Sequence, residues 1–379
     1  MRLVLDGIIF QKDPHGGVAR MFREILPRMC ELDPELQVTL FLDGPVQAAL
    51  PAHARITVQR APAVRRTLRV RGAAGRLLYP LRRLAGRAWD RLRAHWLGSG
   101  AGAIWHSTYY TLPPRWDGPQ VVTVYDMAHE QMAEFFTDPV DELGRRMKQR
   151  CVEQAQAVIC ISESTRRAVA RQYAVPAGRL HLVYNACSPV FRRLADPPAL
   201  DGELQEPFIL YVGSRAFYKN FGGLLDAYRQ WPQRERVRLV AAGQPWTEGE
   251  RHRLAELGLD RRVLLRTQVS DEQLCRLYNA AQAFVFPSMN EGFGIPLLEA
   301  LACGCPVVAA RLPVFMEVAG EAARYFWPDR PDELLAALDA ALAEGRSAAQ
   351  VAAGLQRAQA FSWERTAEQT LAVYRSVYG

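Results

Sequence analysis

The sequence predicts an α/β protein with two domains, each built on a parallel sheet. Short apolar or β-branched runs alternate with amphipathic helical stretches, which is typical of parallel sheets. This pattern stops in a stretch rich in proline and charge at 188–207 and then restarts. With 379 residues and 49% apolar composition, each half can bury a core of its own. We therefore expect one domain over residues 1–190, a second over 205–360, and a terminal segment over 361–379.

Ten strands are predicted, five in each half. The first five lie at 2–7, 38–44, 103–107, 120–126 and 157–162. The second five lie at 208–214, 237–243, 262–268, 283–288 and 306–310. Ligands of open parallel sheets bind beyond the carboxyl ends of the strands. We therefore expect the functional residues in those loops, facing a cleft between the domains.

Composition and charge exclude several classes of protein. The seven cysteines are scattered without zinc-site spacing, which predicts reduced and mostly buried thiols. Because neither an apolar run of eighteen residues nor a cleavable leader is recognised, we expect a cytoplasmic chain without a membrane span. A basic segment at 60–93 holds eleven arginines and one acid, so its net charge of 11 − 1 = +10 exceeds the +7 of the whole chain. One local patch on an otherwise mildly acidic chain argues against a nucleic-acid partner.

Glycines mark two of the predicted loops. Gly16 and Gly17 precede a helical run, where backbone amides and the helix dipole attract an anion. A plain turn at the start of that helix is an equally good interpretation. Gly243 ends the strand at 237–243, and its missing side chain leaves room for a base or a ribose.

Two cations follow the first strand of the second half. Arg215 and Lys219 come after "YVGS" and before a helix. Arginine by its fork of hydrogen bonds and lysine as a point charge suit the two phosphates of a diphosphate. A solvated turn with incidental charges is the alternative.

The stretch "FPSMNEGFGIPLLEALACG" carries two carboxylates, Glu291 in a loop and Glu299 one turn into a helix. Both are expected near the start of that helix, where the turn Gly292, Phe293 and Gly294 directs backbone amides into the cleft. Carboxylates accept hydrogen bonds from pairs of neighbouring hydroxyls, and both a sugar ring and a ribose present such pairs. The alternative is that Glu299 only complements the helix N-terminus.

These motifs resemble those of the retaining glycosyltransferases of family 4. "NEGFGIPLLEALACGCPVVAA" has their E-x7-E signature, and "YVGSRAFYKN" and "ISESTRRAVARQYAVPAGRLHLVYNACSPVF" resemble their matching segments. The resemblance covers nearly the whole chain. It implies the GT-B fold, in which two Rossmann-like domains face each other across a cleft. It also implies that a helix in 361–379 crosses back to the N-terminal domain, with one apolar face formed by Trp363, Leu371, Val373 and Tyr374.

The resemblance also implies roles for the donor-site residues. Glu299 would hold the donor ribose, and Glu291 with the neighbouring amides would hold the transferred sugar. The diphosphate would be bound by four residues from both domains: Gly16, Gly17, Arg215 and Lys219. No DxD-like pair of carboxylates is present in a suitable loop, so no metal cofactor is expected.

The end of the strand at 120–126 departs from the family pattern. The T-x-H-D of the family appears as "TVYD", which ends in Asp126 and has Tyr125 where histidine is common. His106 and His129 are candidates to replace that histidine, although a lone histidine is more often structural. The catalytic candidates are Asp126, His106, Arg215, Lys219 and Glu291.

We expect a retaining hexosyltransferase of polysaccharide biosynthesis. Retention without an obvious nucleophile implies front-face attack by the acceptor, with electrostatic stabilisation of the departing diphosphate. Because "GSRAFYKN" resembles mannosyltransferases, the expected donor is GDP-mannose and the expected acceptor is a glycan or a lipid-linked glycan. The alternatives are a sugar-nucleotide epimerase, a phosphorylase, or a catalytically silent protein that binds sugar nucleotides.

A second feature of the basic region is an amphipathic stretch at 76–97. Its leucines and tryptophans recur at spacings of three to five, and arginines fill the other faces. Such a helix either lies on anionic lipid at the inner face of the plasma membrane or packs on its own domain with a solvated arginine face.

Overall fold

The computed structural model describes residues 1–13, 16–42, 44–46, 49–60, 100–196 and 202–378. The amphipathic stretch predicted at 76–97 lies outside the described residues. Within the described part of the chain, no helix has the length and apolar character needed to cross a bilayer.

The first sheet contains seven described strands, all parallel, in the order β3-β2-β1-β4-β5-β6-β7. These strands are β1 (Arg2–Leu5), β2 (Gln37–Leu42), β3 (Ile56–Arg60), β4 (Ala103–Ser107), β5 (Gln120–Val124), β6 (Ala157–Cys160) and β7 (Leu180–Leu182). The helices of this half are α1 (Ile9–Lys12), α2 (Gly17–Leu32), α3 (Ala128–Gln131), α4 (Pro139–Gln154) and α5 (Glu163–Tyr173).

The second sheet contains six described strands, also parallel, in the order β10-β9-β8-β11-β12-β13. These strands are β8 (Phe208–Val212), β9 (Arg238–Ala242), β10 (Val263–Arg266), β11 (Ala283–Phe286), β12 (Val307–Ala310) and β13 (Ala323–Phe326). The helices of this half are α6 (Phe221–Gln230), α7 (Glu248–Glu256), α8 (Asp271–Ala280), α9 (Ile295–Ala302), α10 (Pro313–Ala319), α11 (Pro331–Glu344) and α12 (Ala348–Gln359). Two parallel sheets flanked by helices confirm the predicted α/β class.

Ten of these strands match the ten predicted from apolar runs, and three were not predicted. The missed strands β3, β7 and β13 each lie at an edge of a sheet. An edge strand has a neighbour on one side only, so its burial is interrupted: β3 has no fully buried residue. A periodicity search that relies on continuous apolar runs therefore passes over these strands.

The last described helix, α13 (Trp363–Tyr378), packs against α2 of the first half. Arg28 Nε on α2 donates to Glu364 Oε1 at 2.8 Å, and Tyr378 donates to the Gly102 carbonyl at 3.1 Å. The buried face of α13 consists of Trp363, Thr366, Ala367, Thr370, Leu371, Val373 and Tyr374. The chain thus passes through both sheets and returns to the first.

Candidate active site

The loops after β8 and β11 bring a lysine and a glutamate together. Lys219 ends a 3-10 turn after β8, and its Nζ lies 2.6 Å from Glu291 Oε1 in the loop after β11. Ser288 Oγ donates to the same carboxylate oxygen at 2.9 Å. Burial lowers the pKa of Lys219, but Glu291 and the neighbouring Tyr218 outweigh burial and raise it. Lys219 is therefore a cation, and it lies beside a carboxylate at the carboxyl edge of the sheet.

The loop after β11 also touches the first half of the molecule. A Cβ on Gly292 would lie 1.6 Å from the carbonyl oxygen of Tyr125 and 3.2 Å from Cα of Asp126, so only glycine fits there. Thr165 Oγ1 of α5 donates to the Gly292 carbonyl at 3.3 Å. The Asp126 carboxylate remains 42% exposed beside this contact. The carboxyl edges of the two sheets therefore face each other across a cleft that is closed at Gly292.

The predicted glycine pair lies at the same cleft, at the start of α2. A Cβ on Gly17 would lie 3.2 Å from Ile295 Cδ1, the first residue of α9. Gly294, which precedes α9, has φ of +94°, a conformation that favours glycine. The Asp13 carboxylate lies against Gly16, 1.9 Å from where its Cβ would be. An anion bound at the start of α2 would require this carboxylate to turn away.

Glu299 is buried in α9 and bonded from two directions. Tyr278 donates to its Oε2 at 3.1 Å, and Arg20 of α2 donates to its Oε1 at 3.3 Å across the cleft. Arg20 also pairs with Asp271 at 2.6 Å. Burial raises the pKa of Glu299 to about 7, although Arg20 and Tyr278 act in the opposite direction. This carboxyl group therefore gains and loses its proton near neutral pH.

Arg215 lies beside Gly243, and it pairs with a different glutamate from the one that pairs with Lys219. Its Nε lies 2.6 Å from Glu250 Oε1, and its guanidinium packs over the Trp246 ring at 4.5 Å. The side chain is 4% exposed. Among the described residues its Nη1 has no hydrogen-bond partner, and that atom lies 3.2 Å from where a Cβ on Gly243 would be. This donor is therefore free to bond with a ligand that lies against Gly243.

The two histidine candidates lie in different environments. His106 is fully buried in the core, where its ring nitrogens bond with Tyr374 and with Thr123. Burial lowers its pKa to about 3, so it is neutral. The expectation that His106 takes part in catalysis is therefore corrected, because a fully buried ring with both nitrogens bonded inside the core does not reach a substrate. His129 lies near the cleft rim, with its ring 4.2 Å from that of Phe136.

The sequence did not indicate a buried ion pair beneath Asp126. Lys148 Nζ lies 2.8 Å from Glu130 Oε2, and these side chains are 3% and 1% exposed. Lys148 also donates to the Asp126 carbonyl at 3.1 Å, and Tyr173 donates to Glu130 at 2.7 Å. This network fixes the backbone of the loop that carries Asp126. The cross-cleft Arg20 was missed too, although its place one turn after Gly17 put it at the start of α2.

Comparisons with known proteins decide which family has this site. Family models match residues 15–189 as "Glycosyltransferase Family 4" and residues 195–356 as "Glycosyl transferases group 1". The O-antigen chain mannosyltransferase B of Escherichia coli is 31% identical over 283 residues, covering 72% of this chain and 74% of that protein. This chain belongs to the family 4 glycosyltransferases.

Other relatives of this glycosyltransferase agree in sequence and in fold. The O-antigen chain mannosyltransferase RfbU of Salmonella typhimurium is 26% identical over 223 residues, 59% of this chain and 60% of that protein. A solved sucrose-phosphate synthase from Thermosynechococcus elongatus superposes with a TM-score of 0.76 at 22% identity, over 100% of this chain and 99% of that one. The fold is therefore GT-B. Within the described residues of the glycosyltransferase, no three His, Cys, Asp or Glu side chains group as a metal site.

Proposed function

We propose that this glycosyltransferase moves mannose, with retention of configuration, from GDP-mannose to a glycan or lipid-linked glycan. The observation that carries the proposal is the Lys219–Glu291 pair, 2.6 Å apart at the closed point of the cleft. A cation for a phosphate and a carboxylate for sugar hydroxyls lie side by side there. The choice of mannose is supported by two relatives whose names are O-antigen mannosyltransferases.

When the donor binds, the charged side chains of the site exchange some of their partners within the protein for groups of the donor. The diphosphate takes over Lys219, which frees the Glu291 carboxylate to accept from hydroxyls of the transferred sugar. Arg215 offers its unpartnered Nη1 beside Gly243, where the nucleoside lies against bare backbone. Glu299 exchanges Arg20 for the ribose hydroxyls, which supply the donors that keep a buried carboxylate ionised.

Transfer then proceeds on one face of the sugar. The acceptor oxygen attacks the anomeric carbon from the side on which the bond to the diphosphate oxygen breaks, and that oxygen takes the acceptor proton. The positive charge of Lys219 and Arg215 stabilises the departing diphosphate, which is the largest catalytic contribution in such sites. Asp126, which is partly exposed beside Gly292, accepts a hydrogen bond from a hydroxyl of the reacting sugar.

The test is an assay of the full chain with GDP-mannose, UDP-glucose and UDP-N-acetylglucosamine, each with and without a mannose oligosaccharide. We expect GDP release from GDP-mannose, faster with the oligosaccharide, and an α-linked product by NMR. Inversion at the anomeric carbon would contradict retention. Interconversion of the donor sugar would indicate an epimerase. A requirement for inorganic phosphate would indicate a phosphorylase, and binding without turnover would indicate a catalytically silent protein.

Since Lys219 and Arg215 supply the positive charge, we expect chelation of divalent metals by EDTA to leave the rate unchanged. We also propose that the stretch 76–97, whose sequence combines leucines and tryptophans with arginines, binds anionic lipid at the cytosolic face of the plasma membrane. Flotation should then occur with anionic but not neutral liposomes and weaken as salt rises. Equal behaviour with both lipids would refute the membrane contact.

A further inference from the structure

Aromatic side chains from both domains meet at the mouth of the cleft. Phe135 and Phe136 follow α3, and Phe217 and Tyr218 lie in the 3-10 turn after β8. The rings of Phe135 and Phe217 stack with centroids 4.2 Å apart and planes inclined by 24°. Phe136 and Tyr218 form a second pair at 5.9 Å. We call these four residues the aromatic lip.

Two rings of the aromatic lip, those of Phe135 and Phe217, are exposed, although aromatic rings are usually buried. Phe135 is 46% and Phe217 62% exposed. Exposing such rings to water is unfavourable, since each offers a large apolar surface. Rings exposed at the mouth of a cleft therefore suggest a surface that a ligand covers.

The aromatic lip adjoins the pair of residues on which the proposed transfer depends. Tyr218 precedes Lys219 in the chain, and its carbonyl accepts from the amide of Met289 at 2.7 Å. Met289 lies two residues before Glu291. A molecule that covers the aromatic lip is thus held beside the Lys219–Glu291 pair, on the solvent side of the cleft.

Polar side chains frame the aromatic lip on the cleft side. Asn290 Nδ2 donates to Gln131 Oε1 at 2.7 Å, which joins the two domains again. The carboxylate of Asp126 is 42% exposed, and the His129 ring packs on Phe136. Amides, a carboxylate and an imidazole pair with hydroxyls, and aromatic faces pack against apolar C–H surfaces. A pyranose ring presents both kinds of surface at once.

We infer that the aromatic lip binds a pyranose ring of the acceptor glycan. The inference rests on the proposed function for its location, and it adds the residues that hold the acceptor and the kind of contact they make. An anionic lipid surface fits less well, because the acids Glu134 and Asp138 flank the two phenylalanines of the first domain. A neutral sugar meets no such repulsion.

The first experiment measures sugar binding without any donor. Saturation-transfer NMR is recorded with methyl α-mannopyranoside and a linear α-mannotriose on the full chain and on Phe135→Ala, Phe217→Ala and Phe217→Tyr. We expect saturation transfer in the wild type, its loss in both alanine variants, and its retention in Phe217→Tyr, which keeps an aromatic face. The matched control is Trp327→Ala, since Trp327 is 51% exposed but packs by Arg311, outside the aromatic lip. This control should bind like the wild type.

The second experiment is kinetic. Phe217→Ala should raise the acceptor KM about tenfold, the effect of one lost aromatic contact, with kcat changed much less. Unchanged saturation transfer in both alanine variants would overturn the inference. The inference would also be overturned if Phe217→Ala lost flotation with anionic vesicles while its sugar binding stayed intact. It would equally be overturned if the thermal shift caused by GDP fell in the alanine variants as much as the sugar signal. Sugar binding that follows this pattern without any transfer would support the inference and refute the proposed function.

Discussion

Replacing Gly292 by alanine tests whether the contact between the two halves is needed for turnover. The new Cβ would lie 1.6 Å from the Tyr125 carbonyl oxygen, and Cβ atoms essentially never approach other atoms closer than 3.0 Å. The two loops must therefore separate by about 1.4 Å at this point. A misplacement of about 1 Å can cost about 10²-fold in rate. We expect Gly292→Ala to lower kcat/KM by about that factor.

The assay compares transfer rate, thermal shift by GDP and small-angle scattering for Gly292→Ala and the wild type. Thermal shift should persist, because Lys219 and Arg215 lie in the second half only, while scattering should report a more open molecule. The matched control is Gly249→Ala in α7, where a Cβ meets nothing within 4 Å. It should be fully active and at least as stable as the wild type, because the added methyl group meets no neighbouring atom. Turnover of Gly292→Ala within threefold of the wild type would refute the reasoning.

Three other predictions concern charged groups. Lys219→Ala should lower kcat at least about tenfold with the fold intact, because it removes a charged hydrogen bond to the diphosphate. Near-normal turnover would contradict the role of Lys219. Lys148→Met should reduce the free energy of unfolding by about 3–5 kcal/mol in urea titrations, since Glu130 is left buried without its cation. The double variant with Glu130→Gln should recover most of this loss, and a double variant as unstable as the single would argue against the ion pair as the cause. Burial raises the pKa of Glu299 from 4.5 to about 7, so the folded state holds an extra proton between these values. Stability should therefore fall as pH rises from 4.5 to 7, by about 3 kcal/mol, and Glu299→Gln should lose this dependence; equal pH slopes in the two proteins would exclude Glu299.

Much of the fold could be predicted because the central strands are continuous apolar runs. Strands such as β11, "AFVF", are fully buried, and the turn that follows is marked by Gly292 and Gly294. The pairing of Lys219 with Glu291 also agrees with their predicted places in loops beyond the carboxyl ends of strands. These features depend on local sequence and on the general rule for parallel sheets.

What could not be predicted depends on contacts between distant parts of the chain. "AIWHS" and "TVYD" both end strands near polar residues, yet His106 is buried while Asp126 is exposed. The difference arises from Tyr374, 268 residues away, which covers His106. Arg20 reaches Glu299 across 279 residues, and no periodicity records such a pairing.

The return of α13 to the first half has a consequence for synthesis. Tyr374 contacts His106, which also packs on Phe22, so the core of the first half is finished only by the last helix. Ribosomes add about 5–20 residues per second, so on the order of ten to forty seconds separate emergence of the first half from that of α13. During this interval the newly made half exposes an apolar groove where α13 will lie. The whole second half is therefore synthesised before the core of the first half can be completed.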